Sequence, residues 1–135
     1  MAHADIEIVQ QLVEAFNRGD IDGILALTHP DFEVEVPPDL SAEPDVYRGH
    51  AGMRRYWESF HDALDDVRFH LEGYWPADDA VVVAMRVSAK GRRTAIAIEQ
   101  RNAGVWRTRD GKALEANIFA SLPEALHSVG LTEHG

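Results

Sequence analysis

The stretch Gly104-Val-Trp-Arg-Thr-Arg-Asp-Gly-Lys-Ala-Leu-Glu-Ala-Asn-Ile-Phe119, followed by Ser121-Leu-Pro-Glu-Ala-Leu126, decides the fold. Asp110-Gly111 sits between two strand-like runs, and a turn that tight needs φ > 0, which glycine adopts without steric cost. The reading is therefore a hairpin. Ser121 stands three residues before Glu124, the spacing of a helix cap. A closing helix is predicted from about residue 122 to residue 129, with Gly130 ending it.

Upstream, the pattern stays strand-like. Residues 94–109 and 113–120 form the last two long strands. Lys90-Gly91 turns the chain, and the basic cluster Lys90-Gly-Arg-Arg93 reads as a solvated loop. Residues 80–88 are apolar on both faces in their first half, which places them centrally in a sheet. Residues 67–75 alternate Val67, Phe69 and Leu71 with Arg68, His70 and Glu72, and Asp78-Asp79 makes the turn between.

The N-terminal half is helical. Ile6, Val9, Val13 and Phe16 recur at helical spacing with Leu12 beside them, predicting an amphipathic helix over 4–18. Gly19 ends it and Asp20 caps a short second helix carrying Ile21, Ile24, Leu25 and Leu27, with His29 at its end. Asp31–Val36 alternates strictly, with Phe32, Val34 and Val36 on one face and Glu33 and Glu35 on the other. Pro37–Pro44 is a loop and Val46-Tyr47-Arg48 a short strand. A third helix carries Met53, Trp57, Phe60 and Leu64 on one stripe, with Tyr56 beside it.

Composition narrows the function classes. The chain's 135 residues suit one domain, 1–135. Its 23 acidic and 13 basic residues leave a formal net charge of −10. Such a surface repels phosphate backbones and anionic lipid, arguing against nucleic-acid and membrane partners. No run approaches the roughly 20 apolar residues of a membrane span, and no secretory signal pattern is visible. The absence of cysteine rules out disulfides, thiolate ligands and cysteine nucleophiles, and fits a cytoplasmic protein. The seven histidines form no compact ligand motif, so neither metal nor cofactor is expected.

Five stretches together resemble the SnoaL-like branch of the nuclear transport factor 2-like superfamily. They are Phe16-Asn-Arg-Gly-Asp20, His29-Pro-Asp-Phe-Glu33, Tyr47-Arg-Gly-His-Ala-Gly52, Val105-Trp-Arg-Thr-Arg-Asp-Gly-Lys112 and Pro123-Glu-Ala-Leu126. The resemblance implies an α+β cone: a strongly curved, mostly antiparallel mixed sheet packed on three N-terminal helices, with a short C-terminal helix and a cavity at one end. It implies little about activity, because one fold carries many functions. In the steroid-isomerase-like members a tyrosine, a carboxylate base and a neutral acid do the chemistry. Carried over by position, those roles fall on Leu12, Val36 and Gly104, none of which can perform them. The cyclase pattern places an acid–base aspartate on the last strand, where this chain has only Glu115. Catalytic residues are therefore unknown.

If Gly104 faces inward, as the resemblance suggests, alternation sends Gln100, Asn102 and Trp106 inward and Glu99, Arg101 and Arg107 outward. The expected pocket comprises Phe16, Val34, Val36, Tyr56, Trp57, Phe60, Gln100, Asn102, Trp106, Asn117 and Phe119: aromatic walls with neutral amides. The first reading is a small-molecule pocket protein binding an apolar, cyclic ligand. The alternative is an isomerase, cyclase, lyase or hydrolase using an unrecognised carboxylate among Glu33, Glu35 and Glu115, helped by Arg86 or Tyr56. The third is an interaction module that pairs as a homodimer through the outer sheet face, where Arg101, Ala103, Val105 and Arg107 are expected.

Overall fold

The computed structural model of the protein describes residues 2–36, 46–62 and 64–131. The loop expected at Pro37–Pro44 lies outside them. In chain order the elements are α1 (Ala2–Arg18), α2 (Ile21–Ala26), β1 (Thr28–Glu35), β2 (Val46–Arg48), α3 (Gly49–Ser59), β3 (Leu64–Pro76), β4 (Val81–Gly91), β5 (Ala97–Arg109), β6 (Lys112–Phe119) and α4 (Leu122–Ser128).

Local signals set most boundaries. Gly19 takes φ 66° and releases α1, and the Asp20 carboxylate accepts the Gly23 N–H at 3.0 Å to start α2. At the hairpin both Asp110 (φ 54°) and Gly111 (φ 75°) are left-handed, and Arg109 pairs directly with Lys112. That is the two-residue turn whose twist matches the flanking strands. Ser121 Oγ accepts the Glu124 N–H at 3.4 Å and donates to the Glu124 carboxylate at 3.0 Å, starting α4.

The six strands form one open mixed sheet in the order β2-β1-β6-β5-β4-β3. The β1–β6 pair is parallel and all others are antiparallel. Register shifts at Leu71/Gly73 and Arg107/Thr108 insert extra residues. Such bulges increase local twist and curl the sheet, giving the concave face that α1 and α3 fill. Together these features make the α+β cone.

The two faces of the sheet bury separate cores. Val81, Val83, Trp106 and Ile118 join Val9, Phe16 and Met53 on the inner face. Val82, Ala103 and Val105 pack with Ala125 and Leu126 of α4 on the outer face. This division is why Val81-Val82-Val83 is buried on both sides. It also means that Ala103 and Val105, expected to be free for pairing, lie beneath α4. Two further readings are corrected. Leu64 opens β3, pairing with Gly91, rather than continuing α3, which stops at Ser59. His29 belongs to β1, where its Nδ1 accepts the Asp31 N–H at 3.0 Å, and not to the end of a helix.

Candidate functional site

The side chain of Asn17 ties the end of α1 to β3. Its Nδ2 donates to the Phe69 carbonyl at 3.0 Å and its Oδ1 accepts the Phe69 N–H at 2.8 Å. The amide thus acts as a substitute strand neighbour for the exposed edge of β3 and fixes α1 against it. Phe69 is held edge-on to both Phe16 (5.2 Å between ring centres) and Phe60 (5.0 Å). Tyr56 meets Phe60 at 5.2 Å in the same way.

These rings form one wall of a cavity whose empty space, counted with its open mouth, is ≈ 530 Å³. The α1 residues Val9, Leu12 and Val13 roof it, and Val83, Met85 and Val87 of β4 form the floor beside Asn102, Gly104 and Trp106 of β5 and Ile118 of β6. Of the expected residues, Phe16, Tyr56, Phe60, Asn102 and Trp106 stand on the cavity wall. The alternation expected for Asn102, Gly104 and Trp106 is the one the sheet adopts, since they pair with the inward residues Met85, Val83 and Val81.

The other expected residues stand elsewhere, each for a physical reason. Val34 and Val36 are buried in the core one strand away, beyond Phe32, which stacks on Trp106. Trp57 turns toward the end of α1, where its Nε1 donates to the Phe16 carbonyl at 3.3 Å and its ring lies 4.2 Å from that of His61. The buried stripe of α3 therefore runs through Met53 and Tyr56. Gln100 pairs with Val87 of the cavity floor but is not itself on the wall. Asn117 and Phe119 pair with Val105 and Ala103, whose side chains point outward, so both lie on the outer face, Phe119 against the α4 core. The residues that sequence reasoning left as plain core were Val9, Leu12, Val13, Phe69, Val83, Met85, Val87 and Ile118. Their one legible signal was the helical stripe and the strand alternation.

Electrostatically the wall is neutral. Its polar side chains are the Tyr56 phenol, the Asn102 amide and the Trp106 indole. Burial, aided by the nearby Tyr47 phenol, pushes the Tyr56 pKa well above its ordinary value, so it stays protonated. The carboxylates considered as bases stand off the wall. Glu33 is exposed and bonds Arg48 at 2.8 Å, and Glu35 is exposed on the same strand face. Glu115 sits on the outer face with Arg107 at 3.7 Å. Arg86 is outside too, bridged to Glu72 at 3.3 Å and Glu99 at 3.8 Å. Among the described residues no three His, Asp or Glu side chains are grouped to hold a metal ion. No helix among them is long and apolar enough to cross a membrane.

Of the positions that carry catalysis in the steroid-isomerase-like pattern, Leu12 lines the cavity, Val36 is buried in the core, and Gly104 lies under an indole. A Cβ on Gly104 would sit 2.7 Å from Trp106 Nε1 and 3.1 Å from Ile118 Cδ1. A larger side chain there has no room while Trp106 keeps this position.

A curved sheet around helices with an apolar cavity defines the class: a nuclear transport factor 2-like cone. Residues 9–116 match the model of the SnoaL-like domain, and the chain belongs to that family. Similar solved structures include TerC co-crystallised with polyporic acid, 25% identical with a TM-score of 0.76, covering 93% of this chain and 97% of that one. A Burkholderia thailandensis NTF2-like protein is also 25% identical, with a TM-score of 0.73 and coverage of 91% and 94%. A Mycobacterium tuberculosis protein in complex with estradiol-17β-hemisuccinate shares the fold at 14% identity, with a TM-score of 0.74 and coverage of 88% and 95%. Among curated proteins none matches this sequence. Family and fold support a ligand-binding or isomerase-like role.

Proposed function

We propose that this protein is a small-molecule pocket protein that takes an apolar, cyclic ligand into the cavity beneath α1 and α3 and holds it without acid–base chemistry. One observation carries the reading. The cavity wall consists of aliphatic and aromatic side chains with only neutral polar groups, while Glu33, Glu35 and Glu115 lie off it. Proton abstraction needs a base within hydrogen-bond reach of the substrate, and among the described residues the wall offers none. The co-crystallisation of TerC with polyporic acid supports the same use of the cone.

The test is a panel of neutral ring compounds, from naphthalene to a steroid, titrated into isotopically labelled protein. Saturable shifts at Phe16, Tyr56, Asn102 and Trp106, with each compound recovered unchanged, are expected. Conversion of a bound compound overturns the non-catalytic reading, and shifts confined to other surfaces overturn the pocket.

The protein also pairs as a homodimer in this reading, through the part of the outer sheet face that α4 leaves open. Arg101 and Glu72 lie there, bonded at 3.2 Å. The cytoplasm is its compartment, as the cysteine-free acidic chain suggests. A monomeric mass by light scattering at micromolar concentration removes the dimer.

A further inference from the structure

Asn102, Gly104 and Trp106 are successive inward positions of one strand, roughly 7 Å apart per step. The middle one has no side chain, so bare backbone separates an amide from an indole on the cavity floor. The indole leans back over the glycine. Its Nε1 lies 2.7 Å, and its Cδ1 3.2 Å, from the place a Gly104 Cβ would occupy. The N–H edge of Trp106 therefore lies on the cavity side of Gly104, and both residues line the cavity. Trp106 is 8% exposed, and its N–H makes no hydrogen bond among the described residues. That N–H is not sealed in the core: it opens onto the cavity, where water or an occupant completes it.

An indole N–H is a donor only. The group that completes it must be an acceptor. It must also be uncharged, because the wall among the described residues carries no cation and burying an unpaired anion is costly. The remaining wall is hydrocarbon, which selects a ring system around that acceptor.

We propose that Trp106 is the specificity-determining donor of the cavity, and that the ligand is a neutral ring compound whose carbonyl oxygen accepts the Trp106 N–H over Gly104. The proposal rests on the pocket reading above and deepens it by naming the ligand class. Gly104 is the residue that makes the donor available, since any side chain there displaces the indole.

The probes are 1-tetralone and tetralin, which share a bicyclic frame and differ in one carbonyl. Each is titrated into 15N-labelled protein, with the Trp106 indole cross-peak and the cavity side chains followed together. A downfield indole shift with 1-tetralone alone is expected, with 1-tetralone bound about three- to tenfold more tightly than tetralin, the range of one neutral hydrogen bond. In Trp106→Phe that preference falls to near unity while both compounds still enter. The wild-type indole shift needs no variant, so instability of the substituted protein does not cloud the result. If both compounds bind in the cavity with equal affinity and no indole shift, the donor role is overturned and the pocket stands. If neither perturbs the cavity, the pocket reading falls and the donor role with it.

Discussion

Replacing Asn17 by alanine removes both hydrogen bonds that tie the end of α1 to Phe69, at 3.0 and 2.8 Å. Each is worth about 0.5–1.5 kcal/mol net, and the Phe69 backbone groups lose their partner at the sheet edge. The site is half-buried, so water replaces part of the loss, and a destabilisation of about 2 kcal/mol is expected. For a domain of this size that lowers Tm by about 6–10 °C. Urea unfolding measures the free energy, and amide exchange locates it, because the Phe69 N–H should lose protection while Val83, in a central strand, keeps it. Phe69 also holds Phe16 and Phe60 edge-on, so ring-compound binding weakens in the same variant. Stability within about 0.5 kcal/mol of the parent, with Phe69 still protected, refutes the view that Asn17 is the strand substitute.

Further outcomes follow from single sites. Desolvation first, then the Arg92 guanidinium, lowers the His61 pKa from 6.5, with Asp62 opposing. The unfolded chain therefore binds that proton more readily, and stability present above 6.5 is lost as pH falls toward the folded value. His61→Gln should flatten that slope between about pH 7.5 and 5, and equal slopes in paired urea titrations contradict the assignment. The Tyr56 phenol should stay un-ionised at about pH 11, beyond the usual tyrosine range. A wild-type minus Tyr56→Phe ultraviolet difference that titrates near pH 10 would refute its burial. Gly52→Ala puts a Cβ 2.6 Å from the Tyr47 carbonyl carbon, so backbone must move, at about 2–3 kcal/mol. At Gly111, φ is 75° and the added Cβ meets nothing within 4 Å, leaving only about 1 kcal/mol of backbone strain. Calorimetry that reverses this order rejects the comparison.

Much of the architecture was legible because its determinants are local. Asp110-Gly111 encodes its own turn, Asp20 and Ser121 cap the helices they precede, and strict alternation through Asp31–Val36 separates a buried face from a solvated one. The same alternation was enough to send Asn102, Gly104 and Trp106 to one side of β5. What the chain could not declare by itself was which apolar surface covers which. Phe119 and Trp106 are both aromatic strand residues, yet one packs under α4 and the other on the cavity floor, because pairing with Ala103 or with Val81 assigns their faces. Val9, Leu12 and Val13 read as core and become a cavity roof only when β3 and β4 curl beneath α1. Glu115 looked available as a base until the bulge at Arg107/Thr108 set the register that turns it outward. Bulges, sheet curvature and helix docking arise from contacts between residues far apart in the chain. Sequence periodicity therefore determined the elements and their buried faces, and the cavity and its neutral wall were decided only when those faces met.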